Sequence, residues 1–203
     1  MRNKGDLSHD ICGEKNPLSK ILVSEDILTL EECTFLIDLY DRYSEHSLQR
    51  DSSGRLLLHY YTLREVHSES ASWLYGVSLR CKQKIETELR TPKLFVDSIF
   101  LACLLPGDSH VPHADNARKE DGRWVPNHTP QRDYTGLLYL NDNFTGGELV
   151  FPDRDVVIVP KAGLFVGFAC NHKFVHAVPD VLSGKRYSLP VWFTLSSENA
   201  MQI

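Results

Sequence analysis

The sequence predicts an α+β chain in which two supporting helices precede a jelly roll of about eight short strands. Three observations carry this. Apolar residues recur at helical spacing only before residue 90. From Leu94 onward the apolar runs are short and rich in β-formers. Turn residues separate those runs, with no helical pattern between them.

Taken in order, residues 1–19 are polar, carry Gly5, Gly13 and Pro17, and read as an irregular tail. Thr29 and Glu32 form a capping-box pattern, and Cys33, Leu36, Ile37 and Tyr40 follow at i, i+3, i+4, i+7 spacing, which predicts an amphipathic helix. Ser52-Ser53-Gly54 signals a turn. Leu56, Leu57 and Leu58 with Tyr60 and Tyr61 predict a short strand. Leu74, Val77, Cys81, Ile85 and Leu89 line one face of a second helix that ends before Pro92. Strand-like runs then start at Leu94, Ile99, Tyr134, Glu148, Val156, Leu164, Phe174 and Tyr187. No repeat or linker interrupts the 203 residues. They read as one domain, with helical support over 20–93 and a jelly-roll core over 94–203.

Composition narrows the function. A net charge of −5 argues against a general binder of nucleic-acid backbones. The longest apolar run, Ile99 to Leu105, is far short of the ~20 residues that span a bilayer. No apolar stretch follows the positive start at Arg2 and Lys4, so no secretory signal is expected. The five cysteines contain no C-x-x-C pair, which suits a reducing, cytoplasmic setting.

The chemistry centres on His113-Ala114-Asp115. On a strand, residues two apart point to one face, as two ligands of one metal must. Nine histidines and fifteen aspartates make one such pair unremarkable by chance. His67-Ser68-Glu69 has similar chemistry and reads as a solvated helix start. What distinguishes the first pair is its sequel. His176 lies in a β-like run, Arg186 follows ten residues later, and Ser188 and Trp192 share the strand phase of Arg186. One carboxylate and two imidazoles make the facial triad of non-haem Fe(II) oxygenases, with positions left open for an oxoacid and O₂. Arg186, a permanently charged fork, suits the far carboxylate of 2-oxoglutarate. Taken singly, His176 reads more simply as a core histidine, Arg186 as one half of a surface ion pair, and Trp192 as core.

From Phe100 to Leu195 the chain resembles the prolyl-hydroxylase branch of the 2-oxoglutarate- and Fe(II)-dependent oxygenases, most closely the leprecan-type prolyl 3-hydroxylase catalytic domain. The segments that carry this are Pro112 to Asn116, Arg132 to Asn141, Phe144-Thr145-Gly146-Gly147, and Arg186 with Val191-Trp192-Phe193-Thr194. The resemblance implies a double-stranded β-helix with iron on His113, Asp115 and His176. It implies 2-oxoglutarate on Arg186 with help from Tyr139 and Ser188, and ascorbate as an accessory cofactor. Leu105 stands where many prolyl hydroxylases carry tyrosine.

The activity expected is hydroxylation of a prolyl residue in a peptide or protein, consuming O₂ and releasing succinate and CO₂. Hydroxylation of a free amino acid or metabolite is the alternative on the same cofactors. Asp115 argues against a halogenase, in which a small residue replaces the carboxylate. A non-catalytic jelly-roll binding module and a zinc hydrolase are further readings, though the latter gives Arg186 no task. Neither a membrane nor a nucleic acid is expected as partner. Asn116 to Asp133, rich in charge and turn formers, reads as a loop that rims the iron site. Asn116 and Trp124 of this loop, and Trp192 on the strand after Arg186, are the candidate substrate contacts.

Overall fold

A computed structural model describes residues 20–47, 50–51 and 56–203. The tail over 1–19 and the turn at Ser52-Ser53-Gly54 lie outside these residues. In chain order the elements are β1 (Leu22–Ser24), α1 (Leu30–Tyr43), β2 (Leu57–His59), α2 (Tyr60–Val66), α3 (Ser68–Leu89) and β3 (Phe95–Leu104). There follow β4 (His110–His113), β5 (Ala117–Glu120), β6 (Arg123–Pro126), β7 (Tyr134–Tyr139), β8 (Thr145–Gly146) and β9 (Leu149–Phe151). The last are β10 (Val156–Ile158), β11 (Phe165–Ala169), β12 (His176–Val178), β13 (Val181–Ser183) and β14 (Arg186–Thr194).

Local chemistry explains the two expected helices. Thr29 accepts the Glu32 N–H while the Glu32 carboxylate accepts the Thr29 N–H, so the capping box closes in both directions. At α3, His67 Nδ1 accepts the Ser70 N–H, which makes His67 the helix cap. Leu74, Val77, Cys81, Ile85 and Leu89 are all buried along one face, as their spacing predicts. A third helix corrects the sequence reading: Tyr60 and Tyr61 leave the strand and open α2. Their β-preference loses because Tyr60 and Leu63, one helical turn apart, are both buried in that conformation.

Six antiparallel strands form the larger sheet in the order β1-β11-β7-β14-β3-β2. A four-stranded sheet runs β10-β9-β12-β4, and β13-β8 and β5-β6 form two-stranded pairs. The described strands thus number fourteen rather than eight. Those missed are two to four residues long, and cross-strand partners rather than local sequence create them. The runs starting at Leu94 and Ile99, read as separate, merge into the single ten-residue β3 from Phe95 to Leu104.

Strand alternation gives the larger sheet two unlike faces. Outward, Gly167 lies under Ile85 of α3: a Cβ there would stand 3.1 Å from Ile85 Cγ1. Inward, Arg186, Ser188, Pro190 and Trp192 of β14 face a cavity, beside Ala102 of β3 and Thr135 of β7. The helices fill one side of this sheet, which leaves the other free to build a site.

Candidate metal centre

The four-stranded sheet places the two histidines. His176 on β12 is the Cα partner of His113 on β4, and their ring centres stand 4.4 Å apart. Each ring is fixed by its own backbone. His113 Nδ1 lies 2.8 Å from Val111 O, and His176 Nδ1 lies 3.0 Å from Phe174 O. A carbonyl only accepts, so each Nδ1 carries the proton and each Nε2 presents a lone pair.

Asp115 arrives differently from expectation. β4 ends at His113, and Asp115 sits in the bend beyond it, so strand alternation is not what aligns the pair. Hydrogen bonds do that instead. Its carbonyl accepts from Asn127 Nδ2 at 3.1 Å and Thr129 Oγ1 at 2.9 Å, and its Oδ2 accepts from the Thr135 hydroxyl. Oδ1 is left 3.7 Å from His113 Nε2 and 3.9 Å from His176 Nε2. All three candidate ligand atoms lie within 4.8 Å of one another.

Electrostatics agree with a cation site. Burial alone pushes the Asp115 carboxyl up, but His176, His113 and the Thr135 hydroxyl outweigh it and hold the group below the usual carboxylate range. Burial holds His176 below the usual imidazole value, against the opposing pull of Asp115. The set is therefore a carboxylate held as an anion with two imidazoles whose Nε2 atoms face it, the donor types that bind metal.

Across the cavity, Arg186 is 3% exposed and its Nε donates to Gly147 O at 2.8 Å. Gly147 has φ +67°, and a Cβ there would come within 2.9 Å of Arg186 Cδ, so glycine is required for the arginine to lie where it does. Arg186 Nη2 and the Tyr139 hydroxyl are both buried without a hydrogen-bond partner. The guanidinium carbon stands 4.9 Å from the Tyr139 ring centre. An unpaired guanidinium nitrogen on a cavity of ≈ 140 Å³ that the His-Asp-His cluster also lines, backed by the Tyr139 hydroxyl just behind the lining, fits a carboxylate-bearing ligand. Ser188 lines the same space.

The substrate candidates divide. Trp192 lines the cavity, its Nε1 is buried and unpartnered, and the Arg132 guanidinium lies 4.0 Å from its ring centre. Asn116 and Trp124 are not among the lining residues. Asn116 Nδ2 donates to Arg132 O, and Trp124 stacks on His172 at 5.7 Å. Within 116–133, residues 117–126 form a hairpin of β5 and β6, closed by Asp121 and Gly122 at positive φ, and 127–133 are the irregular stretch expected of a loop. Sequence reasoning missed Thr135. Its signal was strand phase, since it precedes Tyr139 by four residues on one strand.

Residues 99–194 match the 2OG-Fe(II) oxygenase superfamily. This stretch is a 2OG-Fe(II) oxygenase domain. The chain is 32% identical over 150 residues to human prolyl 3-hydroxylase 2, covering 64% of this chain and 21% of that protein. It is 38% identical over 104 residues to mouse prolyl 3-hydroxylase 3, covering 46% and 14%. The chain thus matches about a fifth or less of the length of these relatives. Among solved structures, a viral collagen prolyl hydroxylase from Paramecium Bursaria Chlorella virus-1 superposes with a TM-score of 0.57 at 18% identity, over 95% of this chain and 99% of that one. A Pseudomonas putida prolyl-4-hydroxylase does so with a TM-score of 0.62 at 20% identity, over 87% and 93%. Both likenesses agree with the double-stranded β-helix expected of the oxygenase domain.

Proposed function

We propose that this oxygenase domain is an Fe(II)- and 2-oxoglutarate-dependent dioxygenase that hydroxylates a prolyl residue in a peptide or protein. The observation that carries the proposal is one cavity lined both by a His-Asp-His cluster and by Arg186, whose Nη2 is unpaired and whose guanidinium stands beside Tyr139. The prolyl substrate follows from the likeness to the prolyl 3-hydroxylases.

In this reading His113 Nε2, His176 Nε2 and Asp115 Oδ1 hold the iron. Arg186 Nη2 and the Tyr139 hydroxyl receive the far carboxylate of 2-oxoglutarate, with Ser188 beside them. When bound, iron and oxoacid supply the oxidation of an unactivated C–H bond by O₂, coupled to release of succinate and CO₂. The chain supplies geometry and dryness. The Val111 and Phe174 carbonyls keep both imidazoles turned with Nε2 inward. Leu137, Leu149, Phe168 and Val178 line the cavity with apolar surface and strengthen every charge interaction inside it. Trp192, with its free N–H, faces the substrate. Ascorbate, which the family resemblance adds, joins the cofactor set as reductant. Four described cysteines are free and buried, which supports a reducing, cytoplasmic setting. No described helix is long and apolar enough to cross a membrane.

The test is mass spectrometry of proline-containing peptides, free proline and related amino acids incubated with Fe(II), 2-oxoglutarate and ascorbate. A gain of one oxygen on a peptide prolyl residue is expected, and it should vanish in His176→Ala. Oxygen gained only on free amino acids shifts the proposal to a metabolite hydroxylase. Near-normal turnover in His176→Ala sinks the ligand assignment.

A further inference from the structure

Thr135 takes no part in the chemistry above, although it is 4% exposed and touches Asp115. Its hydroxyl donates to Asp115 Oδ2 and stands 3.1 Å from Cys170 Sγ. Threonine has a single hydroxyl hydrogen, and the carboxylate, as a charged acceptor, claims it. The Cys170 thiol is then the donor to Thr135 Oγ1, so the hydrogen bonds run one way, from Cys170 to Thr135 to Asp115. The opposite carboxylate oxygen, Oδ1, faces both imidazoles. Asn127 and Thr129 grip the Asp115 carbonyl, so backbone movement does not readily swing the carboxylate round.

We propose that Thr135 is a positioning residue that restricts Asp115 to binding a metal through one oxygen, an inference that rests on the metal reading above. The consequence is a count of open positions. Three protein ligands of one atom each leave three sites on an octahedral ion, enough for a two-atom oxoacid chelate and O₂. If Asp115 bound through both oxygens it would occupy one of those sites, and chelate and O₂ would compete for the remaining two. A hydrogen bond to Oδ2 opposes that second contact, because it ties Oδ2 to Thr135 and draws electron density from the oxygen that would become the second ligand. Thr135 thus guards a coordination position from outside the ligand set.

The experiment uses Mn(II) alone, with no oxoacid, and counts its water ligands by ¹⁷O-water broadening of the electron paramagnetic resonance spectrum. Wild type should show three waters, Thr135→Val two, and Thr135→Ser three again, since serine restores the hydroxyl. Three waters in Thr135→Val, or two in wild type, overturns the proposal. Should Thr135→Val not fold, Thr135→Ala, which also lacks the hydroxyl, takes its place with the same expected count of two. Infrared difference spectra of ¹³C-aspartate protein with and without Mn(II) should show the wide carboxylate splitting of one-oxygen binding, and a narrow splitting overturns the proposal. If wild type binds no Mn(II), the metal reading itself has failed. If it binds and Thr135→Val matches it, only the role of Thr135 has failed.

Discussion

Arg186 and its neighbour Lys185 separate cleanly in the folded chain. Lys185 lies over the Tyr187 ring at 5.9 Å, whereas Arg186 faces the cavity with Nη2 unpaired. Arg186→Ala therefore removes a charge-assisted contact worth roughly 2–4 kcal/mol, and the 2-oxoglutarate concentration giving half-maximal turnover should rise by about 30- to 1,000-fold. Mn(II) affinity should stay near wild type, because no candidate ligand is touched. Titrating both ligands against the variant checks the pair of expectations. A second consequence at this scale concerns pH. Burial holds both His59 and His176 below the usual imidazole value. As pH falls through about 6.5, the unfolded chain takes up these protons while the folded chain still excludes them. The unfolded state then binds more protons, so the metal-free protein loses stability from about pH 6.5 down toward the folded values. Melting temperatures at about pH 7.5 and pH 5.5 should show that fall, and His59→Gln should show a smaller one.

Elements differ in how far their own sequence determines them. α1 and α3 were legible because caps and spacing act within one segment. Thr29→Ala removes one half of a reciprocal cap and should cost about 1 kcal/mol in urea denaturation. α2 was not legible, since seven residues that begin Tyr-Tyr-Thr carry no cap and become helical through the burial of Tyr60 and Leu63. The β5–β6 hairpin was hidden for a related reason. Arg118, Lys119, Glu120 and Arg123 look like loop chemistry, and only pairing between the two strands makes them extended. Of the candidate site, His113, Asp115, His176 and Arg186 could be picked out by order and residue type. Thr129 and Asn127, which hold Asp115 in place, could not, because neutral hydroxyls and amides are common and their partners lie 12 to 14 residues away; Thr135, on the strand phase of Tyr139, was the one supporting residue with a signal. Trp124 anchors the hairpin by stacking on His172, while the hairpin base is tied separately to Asp115. Trp124→Ala should therefore reduce peptide hydroxylation several-fold more than substrate-independent decarboxylation of 2-oxoglutarate. Measuring succinate and hydroxylated peptide side by side tests this, and equal loss of both means that the tryptophan supports the whole site.

At the scale of the molecule, the candidate metal centre joins two sheets that otherwise meet mainly through apolar contacts. His113 and His176 belong to the four-stranded sheet. Asp115 is tied through its carboxylate to Thr135 on β7, and Asn116 N–H donates to Cys170 O just beyond β11, both in the six-stranded sheet. A metal held by all three ligands would link one layer to the other at a point remote from the helices. The unfolded chain scatters these residues, so metal binds the folded state in preference and stabilises it by mass action. At a free Mn(II) concentration about 100 times its Kd, the gain is about 2.7 kcal/mol. For a chain of this length that raises the melting temperature by roughly 5–10 °C. The measurement is a thermal melt with and without Mn(II), repeated on His176→Ala and His67→Ala. His67 caps α3 away from the site, so its variant should keep the metal-induced shift while melting at a lower absolute temperature. His176→Ala should lose most of the shift, since the remaining two ligands reach the ion from one short segment and no longer bridge β12 to Asp115. An undiminished shift in His176→Ala means that manganese acts elsewhere on the surface, and the two sheets are then held together by their apolar core alone.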